Sequence, residues 1–249
     1  MSGSVAHIWR YPIKSHGREQ LDAIDLHEKQ TMPWDRAWAV AHTKATANGA
    51  EWSPCANFSR VAHVPALQAI TSKLDTAANR ITLSHPDRPT LTFDPDTEAQ
   101  VFLDWVAPLM PAKRPQSTRI VRVPSRGMTD TDYPSISLNN LASNQAVGDK
   151  MHTDISPQRW RGNIWLDGLD AWEEFDWVGK KISIGTVEFT VHQRIERCLA
   201  TAANPQTGTR DADTLEALMS GWGHMDFGVY GIVSKSGKMS VGDKIRVLS

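Results

Sequence analysis

Residues 181–192, KISIGTVEFTVH, decide the fold class. Ile182 and Ile184 alternate with polar neighbours, Gly185-Thr186 supplies a two-residue turn, and Val187, Phe189 and Val191 alternate back. That is the pattern of a β-hairpin with one apolar face. Downstream, residues 227–233 read as a strand, Ser236-Gly237 as a turn and residues 241–248 as a closing strand. Upstream, residues 5–11 are apolar and β-rich and stop at Pro12. Residues 36–42 set Arg36, Trp38, Val40 and His42 against a small face of Ala37, Ala39 and Ala41. Residues 81–83 and 91–93 read as short strands around a turn-rich segment. Regular short strands with glycine turns predict a barrel or a strongly curved sheet. Helices are few: residues 97–109 capped by Asp96, residues 137–147 capped by Ser137, and residues 213–219 ending near Gly221. The fold class is therefore mainly β with a few helices (α+β). The polar stretch 113–134 is a seam between two β-rich halves.

The chain has 249 residues and a formal net charge of −1, so no global basic field draws it to nucleic acid or an anionic membrane. Its two cysteines, Cys55 and Cys198, cannot build a disulfide framework or a four-thiolate metal site. Residues 1–10 carry no apolar signal core and no run of apolar residues is long enough to span a bilayer, so a cytoplasmic protein is expected. Ten tryptophans suit core and pocket walls. Dinucleotide, P-loop, zincin and nucleophile-elbow motifs are all missing from the sequence.

The hairpin runs straight into Arg194-Ile195-Glu196-Arg197-Cys198, which places the cysteine at a strand end. Neighbouring cations raise the thiolate fraction, the form that attacks electrophiles and binds metals. The alternative is a cysteine that merely packs, as free cysteines often do. Residues 200–208 form a tight polar loop containing Asn204-Pro205 and Thr207-Gly208, either an anion loop or an ordinary turn. Lys14-Ser15 at a strand exit suits a phosphate, or is a solvated loop pair. Arg159 and Arg161, two apart, share one strand face and form either an anion fork or surface ion pairs.

Taken in order, Tyr11-Pro12-Ile13-Lys14-Ser15, Asp35-Arg36-Ala37-Trp38, Ser137-Leu138-Asn139-Asn140-Leu141-Ala142-Ser143, Arg159-Trp160-Arg161-Gly162-Asn163-Ile164, Arg197-Cys198-Leu199-Ala200-Thr201, Asn204-Pro205-Gln206-Thr207-Gly208, Phe227-Gly228 and Val241-Gly242-Asp243 resemble the motifs of the MOSC family, named for the C-terminal domain of molybdenum cofactor sulfurase. The chain is most similar to the amidoxime-reducing type. Two departures stand out: Gly162 stands where the family usually has proline, and residues 53–60 lack the usual Thr-Gln-Arg pattern.

The resemblance implies an N-terminal MOSC β-barrel-like domain over residues 1–115 and a MOSC β-barrel domain over 116–249. It implies a molybdopterin-type molybdenum cofactor, with Cys198 as metal ligand and catalytic residue. Lys14, Ser15, Arg36, Ser137, Arg159, Arg161, Asn163, Thr201 and Thr207 would be the cofactor-binding residues. A soft thiolate suits such a metal, and the pterin phosphate needs cations. The implied activity is reduction of N-hydroxylated compounds (amidoximes, hydroxylamines, N-oxides). Electrons would come from a separate ferredoxin, flavoprotein or cytochrome, since two cysteines cannot hold an iron–sulfur cluster of the four-thiolate kind. A cofactor or sulfur carrier without turnover is the alternative, and a β-rich interaction module a third. Neither nucleic acid nor a membrane span enters any of these expectations.

Overall fold

The computed structural model describes residues 3–248; Met1 and Ser2, part of the stretch inspected for a signal core, and Ser249 lie outside the described residues. The first half contains β1 (Ser4–Arg10), β2 (Glu19–Leu21), β3 (Ala23–Leu26), β4 (Trp38–His42), β5 (Thr71–Asp75), β6 (Arg80–His85), β7 (Arg88–Phe93), α1 (Ala99–Val106) and β8 (Ser117–Arg122). The second contains β9 (Ile136–Asn140), α2 (Leu141–Met151), β10 (Ile164–Asp167), β11 (Lys181–Ile184), β12 (Val187–Glu196), α3 (Thr214–Trp222), β13 (Asp226–Lys235), β14 (Gly237–Ser240) and β15 (Ile245–Leu248). Strands outnumber helices throughout, which is the α+β class the hairpin pattern predicts.

The quoted hairpin pairs Ile184 with Val187, leaving Gly185 (φ 58°) to make the turn. Ile182, Ile184, Val187, Phe189 and Val191 are fully buried. Each such side chain contributes about 1.5–3 kcal/mol on leaving water, which is what fixes the register. This hairpin sits in an eight-stranded sheet of order β15-β11-β12-β13-β9-β10-β1-β2, antiparallel except for the parallel pair β9–β10. Two first-half strands, β1 and β2, therefore complete the sheet of the second half. In return β14 pairs with β3, and β8 pairs with β4 inside the stretch read as a seam. A second core lies under β4–β7 and α1, centred on Trp38, Val40, Leu83, Phe93 and Phe102. Irregular pairing at Val191/Gln193 and Arg194/Glu196 bends the far end of β12 just before Cys198.

Four local expectations need correction. Ser137 does not cap a helix: it lies within β9, and α2 starts at Leu141, capped by Asn140 through a bond from Ala142 N (2.9 Å). Arg36 precedes β4 in the left-handed region (φ 53°) instead of opening it. Arg159 and Arg161 share no strand face, since Arg159 belongs to a 3-10 turn and Arg161 (φ 50°) ends it. Asp96 is not the cap of α1; its carboxylate accepts from Trp38 Nε1 (2.7 Å) and pairs with Arg122 (2.6 Å).

His16 ties the loop after β1 to this second core. It is fully buried, edge-on to Phe102 at 5.5 Å, and its Nδ1 lies 2.7 Å from Lys14 O, an acceptor that requires hydrogen on that nitrogen. Nε2 has no partner. Burial lowers the imidazole pKa to about 4, so the folded ring is neutral at pH 7. The unfolded chain takes up a proton below about pH 6.5. The stability this ring contributes is thus complete above that pH and lost as pH falls through about 4, up to roughly 3 kcal/mol. Urea midpoints measured between those limits should fall with pH, and less steeply for His16→Gln. An unchanged slope in the variant would show that other groups carry the effect.

Candidate functional site

A cavity of about 260 Å³ lies where the two halves meet. From the first half come Lys14 and Ser15, just after β1, with Arg36, Cys55 and Arg60. From the second come Ser137 on β9, the turn Arg159–Asn163 leading into β10, the bent end of β12 with Cys198 and Thr201 after it, and Tyr230 on β13. Nine of the ten residues named from the sequence line this one space: Cys198, Lys14, Ser15, Arg36, Ser137, Arg159, Arg161, Asn163 and Thr201. Thr207 does not. It is exposed, and its hydroxyl shares a hydrogen with Thr209 (2.8 Å) in a loop organised by Asn204.

Cys198 is exposed and follows the last residue pairs of the bent strand, so it is not a packed core thiol. Thr201 Oγ1 donates to or accepts from Thr214 (2.6 Å) and reaches Cys198 O (3.1 Å), which fixes the turn that presents the thiol. Of the two arginines near it in sequence, only Arg197 lines the cavity. Its guanidinium donates to Phe227 O (2.6 and 2.8 Å), Trp160 O (2.7 Å) and Asn139 Oδ1 (2.9 Å). Arg194 lies over Phe175 instead (4.2 Å).

Asn139 is fully buried, and also donates to Ile164 O (3.2 Å). It fits because of two glycines. A Cβ on Gly162 would strike its side-chain amide, and one on Gly228 (φ 72°) would lie 2.6 Å from its Oδ1. This explains the first departure from the family pattern: Gly162 makes room for the asparagine that anchors Arg197.

The remaining cations form a dense group around Tyr11. Arg161 and Arg36 lie over its ring at 4.5 and 4.8 Å. Arg36 pairs with buried Asp35 and donates to Arg161 O (3.0 Å). Lys14 Nζ donates to Met128 O (2.8 Å) and to Asp130 (2.5 Å). Desolvation in the cavity raises the Asp130 pKa, but Lys14, Arg36 and Arg161 outweigh it and hold the carboxyl down to about 2. Arg161 has no ion pair among the described residues; it donates to Gln68 Oε1 and Gly17 O (both 3.3 Å), and burial pushes its pKa down to about 10. Arg159 pairs with Asp211 (2.6 Å) and donates to Ala202 O (3.2 Å), while its buried Nε has no partner. Ser137 and Asn163 are bonded to each other through Ser137 Oγ to Asn163 Oδ1 (3.0 Å) and Asn163 N to Ser137 Oγ (2.8 Å), and Asn163 Nδ2 donates to Trp9 O (3.2 Å). They brace the cavity floor between β9 and β10. Ser15, Arg36 and Arg161 all have positive φ, and such strain concentrates where a ligand is held. Asp130 and Tyr230 carried no signal in the sequence, whereas Cys55 and Arg60 belong to the 53–60 segment that departs from the family pattern.

An exposed thiol thus shares one cavity with Arg161 and Arg197, half-buried guanidiniums that have no ion pair among the described residues. The MOSC domain model matches residues 129–246 and the MOSC N-terminal beta barrel domain model matches residues 2–106. The chain belongs to the MOSC family. Among its relatives is mitochondrial amidoxime-reducing component 1 of Mus musculus, 25 % identical over 294 positions that cover 99 % of this chain and 82 % of that protein. Mitochondrial amidoxime reducing component 2 of Homo sapiens is 28 % identical over 126 positions, 46 % of this chain and only 37 % of that protein. Molybdenum cofactor sulfurase of Drosophila melanogaster is 29 % identical over 124 positions, 46 % of this chain and 16 % of that protein. The chain thus matches about a third of the human relative's length. Among solved structures, the YUAD protein from Bacillus subtilis superposes with a TM-score of 0.51 at 14 % identity, over 99 % of this chain and 96 % of that one, a likeness of fold. No helix among the described residues is long and apolar enough to cross a membrane.

Proposed function

We propose that this MOSC protein binds a molybdopterin-type molybdenum cofactor and reduces N-hydroxylated compounds (amidoximes, hydroxylamines and N-oxides) with electrons from a separate ferredoxin, flavoprotein or cytochrome. The observation that carries the reading is the shared cavity: Cys198 lies exposed in the space that Arg159, Arg161 and Arg197 also line. No cluster of three or more His, Cys, Asp or Glu occurs among the described residues, so a metal here brings most of its ligands with it. A dithiolene cofactor does so, and Cys198 adds one soft sulfur. Bound there, the cofactor supplies two-electron oxygen-atom chemistry.

The protein's share is binding and electrostatics. Lys14, Ser15, Arg36, Arg159 and Arg161 hold the phosphate and pterin, Ser137 and Asn163 brace the floor, and Thr201 sets the turn that aims Cys198. Arg161 and Arg197, half-buried guanidiniums with no ion pair among the described residues, favour an anion, because the ligand then neutralises an unpaired charge in a partly desolvated site. In the overall conversion an amidoxime N–O bond breaks, two electrons and two protons are consumed, and an amidine and water leave. The reading divides the chain into units of residues 1–115 and 116–249, with the cavity between them, and goes with a cytoplasmic location, where a lone thiol stays reduced.

Metal analysis and pterin fluorescence on protein purified from a cofactor-producing host, with benzamidoxime reduction driven by a reduced dye, test the reading. Molybdenum, pterin and turnover together support it. Cofactor without turnover, using any donor, replaces it with the carrier reading; neither metal nor pterin leaves a β-rich interaction module.

A further inference from the structure

The wall built by the second departure from the family pattern is not used by the cofactor residues. Cys55, Arg60, Val61 and Ala62 all line the cavity. Arg60 Nη1 donates to Cys55 Sγ (3.1 Å) and Nη2 to His63 Nε2 (2.9 Å), and its buried Nε has no partner. Sulfur is a weak acceptor, and imidazole brings no negative charge. Partial burial, then Arg60, Arg114, Arg210 and His42, lower the His63 pKa, which keeps the ring a neutral acceptor at pH 7. Every charged group acting on His63 is a cation or a base. Arg210 adds a second guanidinium on this side, donating to Ala62 O (2.7 Å).

This positive wall is distinct from the group around Tyr11. The leading charges on Asp130 are Lys14, Arg36 and Arg161, and those on Tyr11 are Arg161, Arg36, Arg18 and Asp35, whereas Arg60 bonds to Cys55 and His63. Arg60 also has no ion pair among the described residues, so its half-buried charge awaits a counter-ion from outside the chain. Val61 and Ala62 beside it offer apolar surface to the body of a small molecule.

We infer that Arg60 determines specificity by binding an anionic substituent of the substrate, a carboxylate remote from the N–O bond, so that the preferred substrates are negatively charged N-hydroxylated compounds. This rests on the reductase reading and names its substrate class. A planar guanidinium matches the two oxygens of a carboxylate, and the fork geometry makes arginine better suited to it than lysine.

The test compares 4-carboxybenzamidoxime with benzamidoxime on the cofactor-loaded protein, wild type, Arg60→Gln and Arg60→Lys. Wild type should show a KM lower by about tenfold or more for the carboxylated substrate, the scale of one charge-assisted hydrogen-bonded pair. Arg60→Gln should bring the two KM values together, and Arg60→Lys should retain part of the gap. Added salt should narrow the wild-type gap. Equal KM values in wild type, or a gap that survives Arg60→Gln, overturn the inference. If neither compound is reduced, the reductase reading fails, and calorimetric binding of the same pair still decides the subsite. Tighter binding of the carboxylated compound that disappears in Arg60→Gln upholds it, and equal binding overturns it.

Discussion

Cys198→Ala should purify with pterin and its dithiolene-held molybdenum, but its benzamidoxime reduction should fall by more than about 100-fold, since even the partners behind a ligand are worth 10–100-fold in affinity or activity. The expectation follows from a division of labour in the cavity. On the proposed reading the anionic end of the cofactor would be held by Lys14, Arg36, Arg159 and Arg161, which line the cavity and which the substitution does not touch. Only the sulfur is removed. Cys198 is exposed, so the thermal midpoint should stay close to that of wild type, because surface substitutions are typically within about 0.5 kcal/mol. Stability, pterin content and turnover then separate cleanly. A variant that kept full reduction with molybdenum bound would remove Cys198 from the site.

Trp160→Ala should cost about 3–5 kcal/mol, the range for emptying a buried aromatic site. Trp160 is 2 % exposed and stacks on Phe227 with ring centroids 3.9 Å apart and planes 4° apart. Around it lie Val147, Ile155, Trp165 and Leu218, which join α2 and α3 to the sheet. Its Nε1 donates to buried Asn144 Oδ1 (2.7 Å), and its carbonyl accepts from Arg197. Trp160→Phe keeps a stacking ring but orphans that amide oxygen, at about 1–3 kcal/mol. Urea unfolding of both variants checks the order. Because Trp160 also lines the cavity, kcat/KM should fall in the alanine variant even where it remains folded. A loss below about 1 kcal/mol would mean that the neighbouring rings close the space.

The parts of this molecule that were legible in its sequence are those where one local force dominates. The alternation of residues 182–191 encodes a buried hairpin face, and the structure keeps it with the turn at Gly185-Thr186. Ordered short motifs brought Lys14, Arg36, Arg159 and Cys198 to attention, although they come from both halves. What local pattern could not supply is polar structure satisfied at long range. Ser137 and Asn139 look like helix-cap chemistry, yet they lie in a strand because Asn163, Ile164 and Arg197 satisfy them from other elements. Arg36 and Arg161 look like strand residues, yet both are left-handed, a conformation imposed by the packing around Tyr11. Asp130 was hidden in a polar stretch, and only folding sets it against Lys14.

Gly162, Asn139 and Gly228 come from three separate motifs, but physically they occupy one space. A larger side chain at either glycine is therefore felt at the asparagine between them. Proline at 162 would set its ring against the amide of Asn139 and disturb the clamp on Arg197. The asparagine must shrink first, or the arginine must find another acceptor. The set of three residues, rather than Gly162 alone, is what distinguishes this cavity wall.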